Sequence, residues 1–302
     1  MSIVWINGQF TDDSAAALSI RDAGLLHGAG VFTTMRAYSG RVMAIDRHLA
    51  RLRQSCQSLF IPLTQSDQSL SAAAAELLAR NNLADARLRL TATRGAVRQD
   101  PVHGTVMSPS LFFTAVELEK YPPILYERGM TVVLIDEQKL NPYDVQAGHK
   151  TLDYLSRLFA LRNANERSAN EALWFNVHNY LQSGCMSNVF LVKDGQLITP
   201  PTSTELRDAS APYPRSNVLP GVTRSIVIEL AAKEGIDVRL AAVNVNELLE
   251  ADEVFLTNSV MQIMPVCRIE RRAVGDDRPG RITRRLAAAY DARVLAETGN
   301  PA

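Results

Sequence analysis

The alternation of apolar and polar residues predicts most strands and helices of the chain. A hairpin is predicted at the N-terminus, where Ile3-Val4-Trp5-Ile6 and Gln9-Phe10 flank the turn pair Asn7-Gly8. Further apolar or alternating runs predict strands at 31–38, 41–45, 86–95, 110–118, 130–136, 171–177, 188–193, 196–199, 238–245 and 253–260. Apolar residues at helical spacing predict helices from Asp46 onward, at 69–80 and 152–165, between Pro220 and Gly235, and at 281–297. Runs of strands with helices between them indicate an α+β fold with two mixed, barrel-like sheets and flanking helices.

A stretch rich in proline, glycine and charge indicates two lobes. "EKYPPILYERG" at 119–129 is predicted to be a linker. It separates an N-terminal α/β lobe, 1–118, from a C-terminal lobe, 130–302. In the C-terminal lobe, a Pro/Ser-rich loop at 200–219 leads into the helix that follows Pro220.

The composition excludes several classes of protein. Lys+Arg and Asp+Glu both total 32, so no net field favours nucleic acid or anionic membrane. No apolar run reaches the length of a membrane span, and "MSIVWINGQF" does not resemble a secretory signal. Three widely spaced cysteines and five histidines without ligand spacing indicate neither a disulfide framework nor a metal site. We expect a soluble cytoplasmic protein.

Lysine is scarce, which draws attention to Lys150. Five of the 32 basic residues are lysines, so 32 − 5 = 27 are arginines. Only lysine can lose its proton readily and form an imine. Lys150 ends an irregular loop directly before an apolar helix, where burial favours a nucleophilic amine. By position alone, a solvated lysine at a helix start is the favoured interpretation.

Three further segments are candidate anion-binding sites. "LPGVTR" places the amides of Val222 and Thr223 at a predicted helix N-terminus, where anions bind readily. "FLTNSV" follows a strand with polar residues that include Ser259, and Arg51 lies on the polar face of the helix after Asp46. A plain turn, a hydrophilic strand end and a solvated cation are the alternative interpretations.

Taken in chain order, these motifs resemble the class IV aminotransferases, the fold type IV pyridoxal-phosphate (PLP) enzymes. The resemblance covers nearly the whole chain through "GAGVFTTMR", "HLARLRQS", "HKTLDYLSR", "SNVFLVKDGQLITPP", "LPGVTR" and "TNSVMQIMPV". That family includes branched-chain and D-amino-acid transaminases and aminodeoxychorismate lyase. The resemblance implies PLP as cofactor, amino-acid and keto-acid substrates, and a homodimer.

The resemblance also implies roles for individual residues. Lys150 is the expected Schiff-base lysine, and Tyr154 is expected near the phenolic oxygen of the cofactor. The phosphate is expected at Arg51, Val222, Thr223 and Ser259. Backbone amides around Ser259 and Val260 are expected to receive the substrate carboxylate.

One position departs from the family pattern in a way that affects the chemistry. Five residues before the Asn of the "SNVF" motif, relatives carry a glutamate that binds the protonated pyridine nitrogen, and this chain has Ser183. A hydroxyl cannot replace the charge-assisted bond of a carboxylate, which stabilises by roughly 1.5–3 kcal/mol. We therefore expect an unprotonated nitrogen and a weaker electron sink.

Other departures concern the predicted substrate site. His27, Ala29 and Thr33 stand where relatives often carry Tyr, Asp and Glu, and the loop at 202–217 is longer than usual. Arg94, with the other arginines of the 86–95 strand, is a candidate receiver of a second carboxylate, although exposed strand arginines are common.

Three functions remain open from the sequence. An amino-acid transaminase is ranked first, with Lys150 moving the proton between substrate and cofactor. A lyase resembling aminodeoxychorismate lyase is ranked second, because "FTTMR" and "MPVC" resemble that branch, and Thr33 or Thr34 would then be the acid/base. A catalytically degenerate PLP- or metabolite-binding relative is ranked third, and the retention of Lys150 argues against it.

Overall fold

The structure is a computed structural model that describes residues 2–100, 104–207 and 211–299. The chain divides into two compact units. Unit 1 comprises the chain up to Glu119, the short segment His149–Asp153 and the chain from Val294. Unit 2 comprises Lys120–Gly148 and Tyr154–Arg293.

Unit 1 is built on a six-stranded sheet. Its strands are β1 (Ile3–Ile6), β2 (Gln9–Asp12), β3 (Gly30–Tyr38), β4 (Arg41–Val42), β5 (Ala86–Thr93) and β8 (Leu111–Glu117), in the order β2-β1-β8-β5-β3-β4. A separate two-stranded sheet pairs β6 (Ala96–Asp100) with β7 (Gly104–Ser108). β3 and β5 pair in antiparallel fashion, with Thr33 opposite Leu90 and Thr34 opposite Arg89.

Helices cover the apolar face of this sheet. They are α2 (Ile45–Ser58) and α3 (Asp67–Arg80), and the short helix α1 (Ala23–His27) precedes β3. Leu49, Leu52 and Cys56 of α2 are almost fully buried against strand residues such as Leu88 and Leu90. The polar residues His48 and Arg51 of the same helix contact Thr33 of β3.

Unit 2 contains a nine-stranded mixed sheet. Its strands are β9 (Met130–Leu140), β10 (Glu171–Asn176), β11 (Leu181–Gly184), β12 (Asn188–Lys193), β13 (Gln196–Thr199), β14 (Val238–Leu240), β15 (Glu253–Asn258), β16 (Gln262–Ile269) and β17 (Arg272–Ala273). The order is β11-β10-β9-β16-β15-β12-β13-β14, and β17 pairs with β16.

The helices of unit 2 flank that sheet and leave two apolar cores. They are α4 (Pro123–Arg128), α5 (Leu155–Glu166), α6 (Val222–Lys233), α7 (Val245–Leu249) and α8 (Arg281–Thr298), the last of which continues into unit 1. One core includes Leu173, Val254 and Met264, and the other includes Ala160, Ala164 and Trp174. Among the described residues, no helix is both long and apolar enough to span a membrane.

The fold class is confirmed, and the structure adds three corrections of detail. Both sheets have open strand orders in the described chain, so neither closes into a barrel. The predicted linker 119–129 contains the helix α4, with Pro123 at its first position. The strand β11 (Leu181–Gly184) is not among the strands that the sequence predicts.

Lys150 lies in unit 1, whereas the sequence placed it in the C-terminal lobe. The backbone explains the difference. Phe32 N–H donates to the Lys150 carbonyl at 2.9 Å, and Leu152 N–H donates to the Gly30 carbonyl at 2.9 Å. The segment around Lys150 therefore pairs with β3. The two stretches are more than 100 residues apart in the chain, so no local sequence pattern predicts this contact.

Candidate active site

The lysine region of unit 1 consists of Lys150, Phe32, Thr33, His48 and Arg51. The Lys150 amine lies 4.6 Å from the centroid of the Phe32 ring. The Arg89 guanidinium carbon lies 3.5 Å from the same centroid. The ring thus contacts two cations, whose charge its electron-rich face stabilises.

Thr33 joins two polar residues of α2. Its Oγ1 accepts a hydrogen bond from Arg51 Nη2 at 2.9 Å and lies 2.8 Å from His48 Nδ1. Arg51 can only donate, so the single Thr33 hydroxyl proton is available to a neutral His48. Burial lowers the pKa of His48 well below its usual value, and the charges of Arg51 and Lys150 lower it further. A neutral imidazole therefore fixes Thr33, and Thr33 fixes Arg51.

This geometry separates the two candidate threonines. Thr33 is fully buried, with its hydroxyl engaged by α2. Thr34 is half-buried and lies on the opposite face of β3, the face shared by Phe32, because strand side chains alternate. Of the two, Thr34 shares a strand face with the ring that the Lys150 amine contacts.

A second link connects the lysine segment to α2. His149 Nδ1 lies 3.0 Å from Ser55 Oγ, and Ser55 is one helical turn beyond Arg51. Burial lowers the pKa of His149, so the ring is neutral near pH 7. The bond ties the residue before Lys150 to the helix that carries Arg51.

The serine region of unit 2 consists of Ser183, Glu171 and the turn 184–187. Ser183 is 5% exposed, and in the described part of the chain its Oγ has no hydrogen-bond partner. An unpaired buried hydroxyl costs free energy, about 1–3 kcal/mol in mutational data. Such an atom is suited to a ligand that completes its hydrogen bonding.

The turn after Ser183 is held from two sides. Glu171, 6% exposed, accepts the Cys185 N–H at 2.8 Å and the Ser187 hydroxyl at 3.3 Å. Arg157 Nη1 donates to the carbonyls of Gly184 and Cys185 at 3.2 and 2.7 Å. A Cβ on Gly184 would lie 2.2 Å from Ser187 Oγ, so a side chain there would displace the Ser187 hydroxyl. Burial raises the pKa of Glu171, although the N–H groups that it accepts oppose the rise.

The N-terminus of α6 is held close to the end of this turn. Asn188 Nδ2 donates to the Leu219 carbonyl at 3.0 Å, and a Cβ on Gly221 would lie 2.0 Å from Asn188 Oδ1. Gly221 is the N-cap and supplies no side-chain oxygen to the first N–H groups of the helix. Val222 and Thr223 follow, both buried. Uncapped amides at the positive end of a helix form a site for an anion.

The side chain of Asn258, the last residue of β15, orders the stretch that follows this strand. Asn258 Oδ1 accepts the N–H groups of Val260 and Met261 at 2.9 and 2.8 Å, and Asn258 Nδ2 donates to the Met186 carbonyl at 3.3 Å. The backbone amide of Val260 is therefore already engaged. Ser259 and Val260 are both half-buried.

Comparison with known proteins decides the family. Residues 30–269 match the family model described as amino-transferase class IV. A protein of Methanocaldococcus jannaschii, whose name assigns it provisionally to the branched-chain-amino-acid aminotransferases, is 34% identical over 290 residues, with 95% of this chain and 94% of that protein covered. The chain is a class IV aminotransferase.

Two further relatives agree with that assignment. The D-alanine aminotransferase of Bacillus licheniformis is 29% identical over 295 residues and covers 98% of both chains. The crystal structure of the Escherichia coli branched-chain amino acid aminotransferase superimposes with a TM-score of 0.87 at 27% identity, covering 98% of this chain and 96% of that one. The chain thus resembles class IV aminotransferases with two different named activities.

Class IV aminotransferases use PLP, and the described residues of this aminotransferase fit that group. The amine of Lys150 suits the cofactor aldehyde, and the uncapped first turn of α6 suits its phosphate. The unpaired buried hydroxyl of Ser183 suits a heteroatom of its ring. Position 183 itself carries a neutral hydroxyl and no carboxylate.

The remaining predicted site residues have varied surroundings. Tyr154 is the N-cap of α5, and the Arg157 guanidinium lies 5.7 Å from its ring centroid. His27 ends α1 and is exposed. Arg94 is also exposed, its backbone N–H donates to the Ala29 carbonyl at 2.9 Å, and its Nε lies 3.2 Å from Met107 Sδ. Their roles toward substrate stay predictions.

Sequence reasoning missed His48 and Glu171 in this aminotransferase. His48 precedes Arg51 by three residues, a helical spacing that places both side chains on neighbouring positions. Glu171 heads the apolar strand "EALWF", where a buried carboxylate needs several donors. Both features can be read from the sequence.

Proposed function

We propose that this class IV aminotransferase is an amino-acid transaminase of the branched-chain or D-amino-acid type, with Lys150 as the residue that binds PLP covalently. The observation that carries the proposal is the placement of the Lys150 amine. It lies over Phe32, in a segment whose backbone is bonded to β3 and whose preceding residue is bonded to α2. A rigidly held amine is what covalent capture and proton transfer at one atom require.

The residues around that amine have distinct tasks. Bound PLP supplies an electron-accepting ring. Lys150 then moves the proton at the substrate Cα, as a base that is held close to it. Arg51, oriented by Thr33, would hold the cofactor phosphate. Val222, Thr223 and Ser259 are proposed for the same group, and Tyr154 would lie near the phenolic oxygen.

Ser183 is proposed as the partner of the pyridine nitrogen. Its unpaired Oγ–H supports this assignment, since the hydroxyl can donate to a neutral nitrogen. A hydroxyl does not hold a proton on that nitrogen, so the ring withdraws electrons less strongly than it does beside a carboxylate. We expect transamination to be slower for that reason.

Substrate recognition is proposed at four residues. Amides near Ser259 and Val260 bind the substrate carboxylate, which requires the Val260 N–H to exchange or share its bond with Asn258. His27 and Arg94 bind the remainder of the substrate, and their exposure is compatible with contact to a small polar molecule.

The lyase remains the second candidate, and Thr34 supports it. In that reaction a threonine hydroxyl transfers a proton, and Thr34 shares a strand face with Phe32, over which the Lys150 amine lies. Thr33 is less suited, because its hydroxyl is engaged by α2.

Reductive labelling tests the proposal. The protein is incubated with PLP, reduced with borohydride and mapped by peptide mass spectrometry. We expect the phosphopyridoxyl label on Lys150, and label on another lysine instead would refute the assignment. Single-turnover reactions with D- and L-amino acids and with aminodeoxychorismate then separate transaminase from lyase. A protein that is labelled but turns over none of them would be a degenerate relative.

A cytoplasmic homodimer completes the proposal. Unit 1 exposes Ile20, Leu25 and Leu26 close together in sequence, and such apolar surface is typical of protein interfaces. Light scattering of the PLP-bound, active protein at micromolar concentration should give twice the chain mass of 33.2 kDa. An active monomer would contradict the dimer.

A further inference from the structure

The long segment between β13 and α6 is anchored to its surroundings. Its described residues, 202–207 and 211–217, are here called the strap, and residues 208–210 lie outside the described part of the chain. Thr202, Tyr213 and Ser216 are buried, at 3%, 3% and 0% exposure. Buried polar side chains in an irregular segment indicate fixed structure.

One anchor binds the strap to the first turn of α6. Arg224, the third residue of α6, is 2% exposed at its side chain. Its Nη1 and Nη2 donate to the two carboxylate oxygens of Glu205 at 2.9 and 2.8 Å, and Nη2 also donates to the Pro200 carbonyl at 3.1 Å. Glu205 in turn accepts the Thr202 N–H at 2.8 Å.

The position of Arg224 makes this ion pair important. A cation in the first turn of a helix is opposed by the macrodipole, and a buried cation without a partner is costly. The Glu205 carboxylate compensates both effects. Burial opposes its ionisation, but the hydrogen bonds and charge of Arg224 prevail and lower the pKa of Glu205.

A second anchor binds the strap to β11. Gln182 is fully buried, and its Oε1 accepts the Ser216 hydroxyl at 3.2 Å and the Asn217 N–H at 3.0 Å. Its Nε2 donates to the Leu181 carbonyl at 2.9 Å and lies 3.4 Å from the Tyr213 hydroxyl. Gln182 directly precedes Ser183 in the same strand.

The two anchors end on two of the elements of unit 2 to which cofactor-binding residues are assigned. Gln182 adjoins Ser183, and Arg224 directly follows Thr223. From this we infer that the strap positions both elements, with Glu205 and Gln182 as positioning residues for PLP. The inference rests on the proposed function for the identity of the ligand. It differs from a substrate lid, which would need weak anchors in order to open.

The α6 anchor is tested with Glu205→Gln in the full-length protein. The matched control is Glu234→Gln, which breaks the ion pair with Arg285 at the C-terminal end of the same helix. The dissociation constants are measured for PLP and, with the apo-protein, for inorganic phosphate. Loss of one charge-assisted contact predicts about tenfold weaker binding of both for Glu205→Gln, and values within about twofold of the parent for Glu234→Gln.

Whether Glu205→Gln weakens or tightens anion binding shows whether Glu205 positions α6 or only neutralises the charge of Arg224. If Glu205 only neutralised Arg224, its removal would free a cation beside the phosphate site and tighten anion binding. Unchanged or tighter binding by Glu205→Gln would therefore overturn the inference. Glu205→Asp, which keeps the charge, should recover part of the affinity.

The β11 anchor is tested separately with Ser216→Ala, so that a folding defect of one variant does not leave the inference without a test. The readout is the ¹⁵N chemical shift of ring-labelled PLP bound to the protein. We expect that shift to move in Ser216→Ala because Ser183 is displaced, while the phosphate affinity of the apo-protein stays at the parent value. A shift identical to the parent would contradict positioning of Ser183.

Failure of the proposed function gives a different pattern. A parent protein that does not bind PLP covalently would refute the function, and the phosphate measurements would still decide the α6 anchor. A parent that binds PLP, with variants that behave like it, would refute the strap alone.

Discussion

Buried polar side chains bind one another in the lysine region, whereas the serine region leaves one of them unpaired. Thr33, His48 and Arg51 form a continuous chain of contacts at 2.8 and 2.9 Å. Ser183 Oγ has no hydrogen-bond partner in the described part of unit 2, although the turn beside it is fully bonded. The side chains of the lysine region are therefore organised by one another, whereas the serine region keeps one buried hydroxyl that a ligand could bond. Substitutions in each region should sharpen or remove this difference.

Ser183→Glu should produce the largest change, in catalytic rate. A carboxylate at position 183 would hold a proton on the pyridine nitrogen and strengthen electron withdrawal from the substrate Cα. A charge-assisted bond of about 1.4–2.8 kcal/mol in the transition state corresponds to roughly ten- to a hundredfold in rate. The half-reaction with a good amino donor should accelerate by that factor, measured by stopped-flow absorbance.

The control for this variant is Ser183→Gln, which matches the size of the side chain without its charge. A Glu variant that folds, binds PLP and transaminates no faster than the parent would show that a protonated nitrogen is not what limits the reaction.

Thr33→Val should destabilise the apo-protein, and Ser183→Ala should not. Valine has the shape of threonine but removes the contacts to His48 and Arg51, at a cost of about 1–3 kcal/mol in the free energy of unfolding. Ser183→Ala removes an atom that makes no bond in the described chain, so its effect should stay within about 0.5 kcal/mol. Urea unfolding of the apo-proteins measures both changes.

Thr33→Ser keeps the hydroxyl and serves as the control for Thr33→Val. Equal destabilisation by Thr33→Val and Ser183→Ala would remove the proposed difference between the two regions, because Ser183 would then have a partner in the apo-protein.

The two regions should respond to pH with opposite sign. The folded-state pKa values of His48 and His149 are lowered from 6.5, so the unfolded chain binds more protons and their contribution to stability is lost as pH falls below about 6.5. The folded-state pKa of Glu171 is raised from 4.5, so the folded chain binds more protons and that contribution is lost as pH rises above about 4.5.

Variants separate these contributions in denaturation measured from pH 5 to pH 8. His48→Gln should flatten the loss of stability on the acid side. Glu171→Gln cannot ionise, so its stability relative to the parent should improve as pH rises. A Glu171→Gln difference that is independent of pH would mean that the carboxyl has the same pKa in the folded and unfolded chain.

Some residues of the two regions could be predicted from the sequence. Lys150, Arg51 and the α6 N-terminus were candidates from their residue types and local structure, and the order of their motifs along the chain gave them predicted roles. Ser183 was found by counting along one motif, which needs no tertiary information.

The rest depends on contacts between distant parts of the chain. The pairing of β3 with the Lys150 segment places the lysine in unit 1, and no local pattern encodes that pairing. Which of Thr33 and Thr34 faces α2 is decided by the packing of β3, because the two occupy adjacent, opposite-facing positions. Gln182 and Glu205 are ordinary polar residues in sequence, and only the folded strap shows what they bind.

The smallest effect is expected from Ser55→Ala, which examines how tightly the lysine region is joined to its helix. Ser55 Oγ lies 3.0 Å from His149 Nδ1, so alanine removes the side-chain link between α2 and the residue before Lys150. One neutral hydrogen bond contributes about 0.5–1.5 kcal/mol to stability. Ser58→Ala, an exposed change in the same helix, should lie nearer the parent. If the link orients Lys150, Ser55→Ala should lower kcat more than it raises KM for the amino donor, because Arg51 and the phosphate site stay in place. If Ser55→Ala is less stable than the parent but has the same kcat, the hydrogen bond of His149 stabilises the segment and does not orient the Lys150 amine.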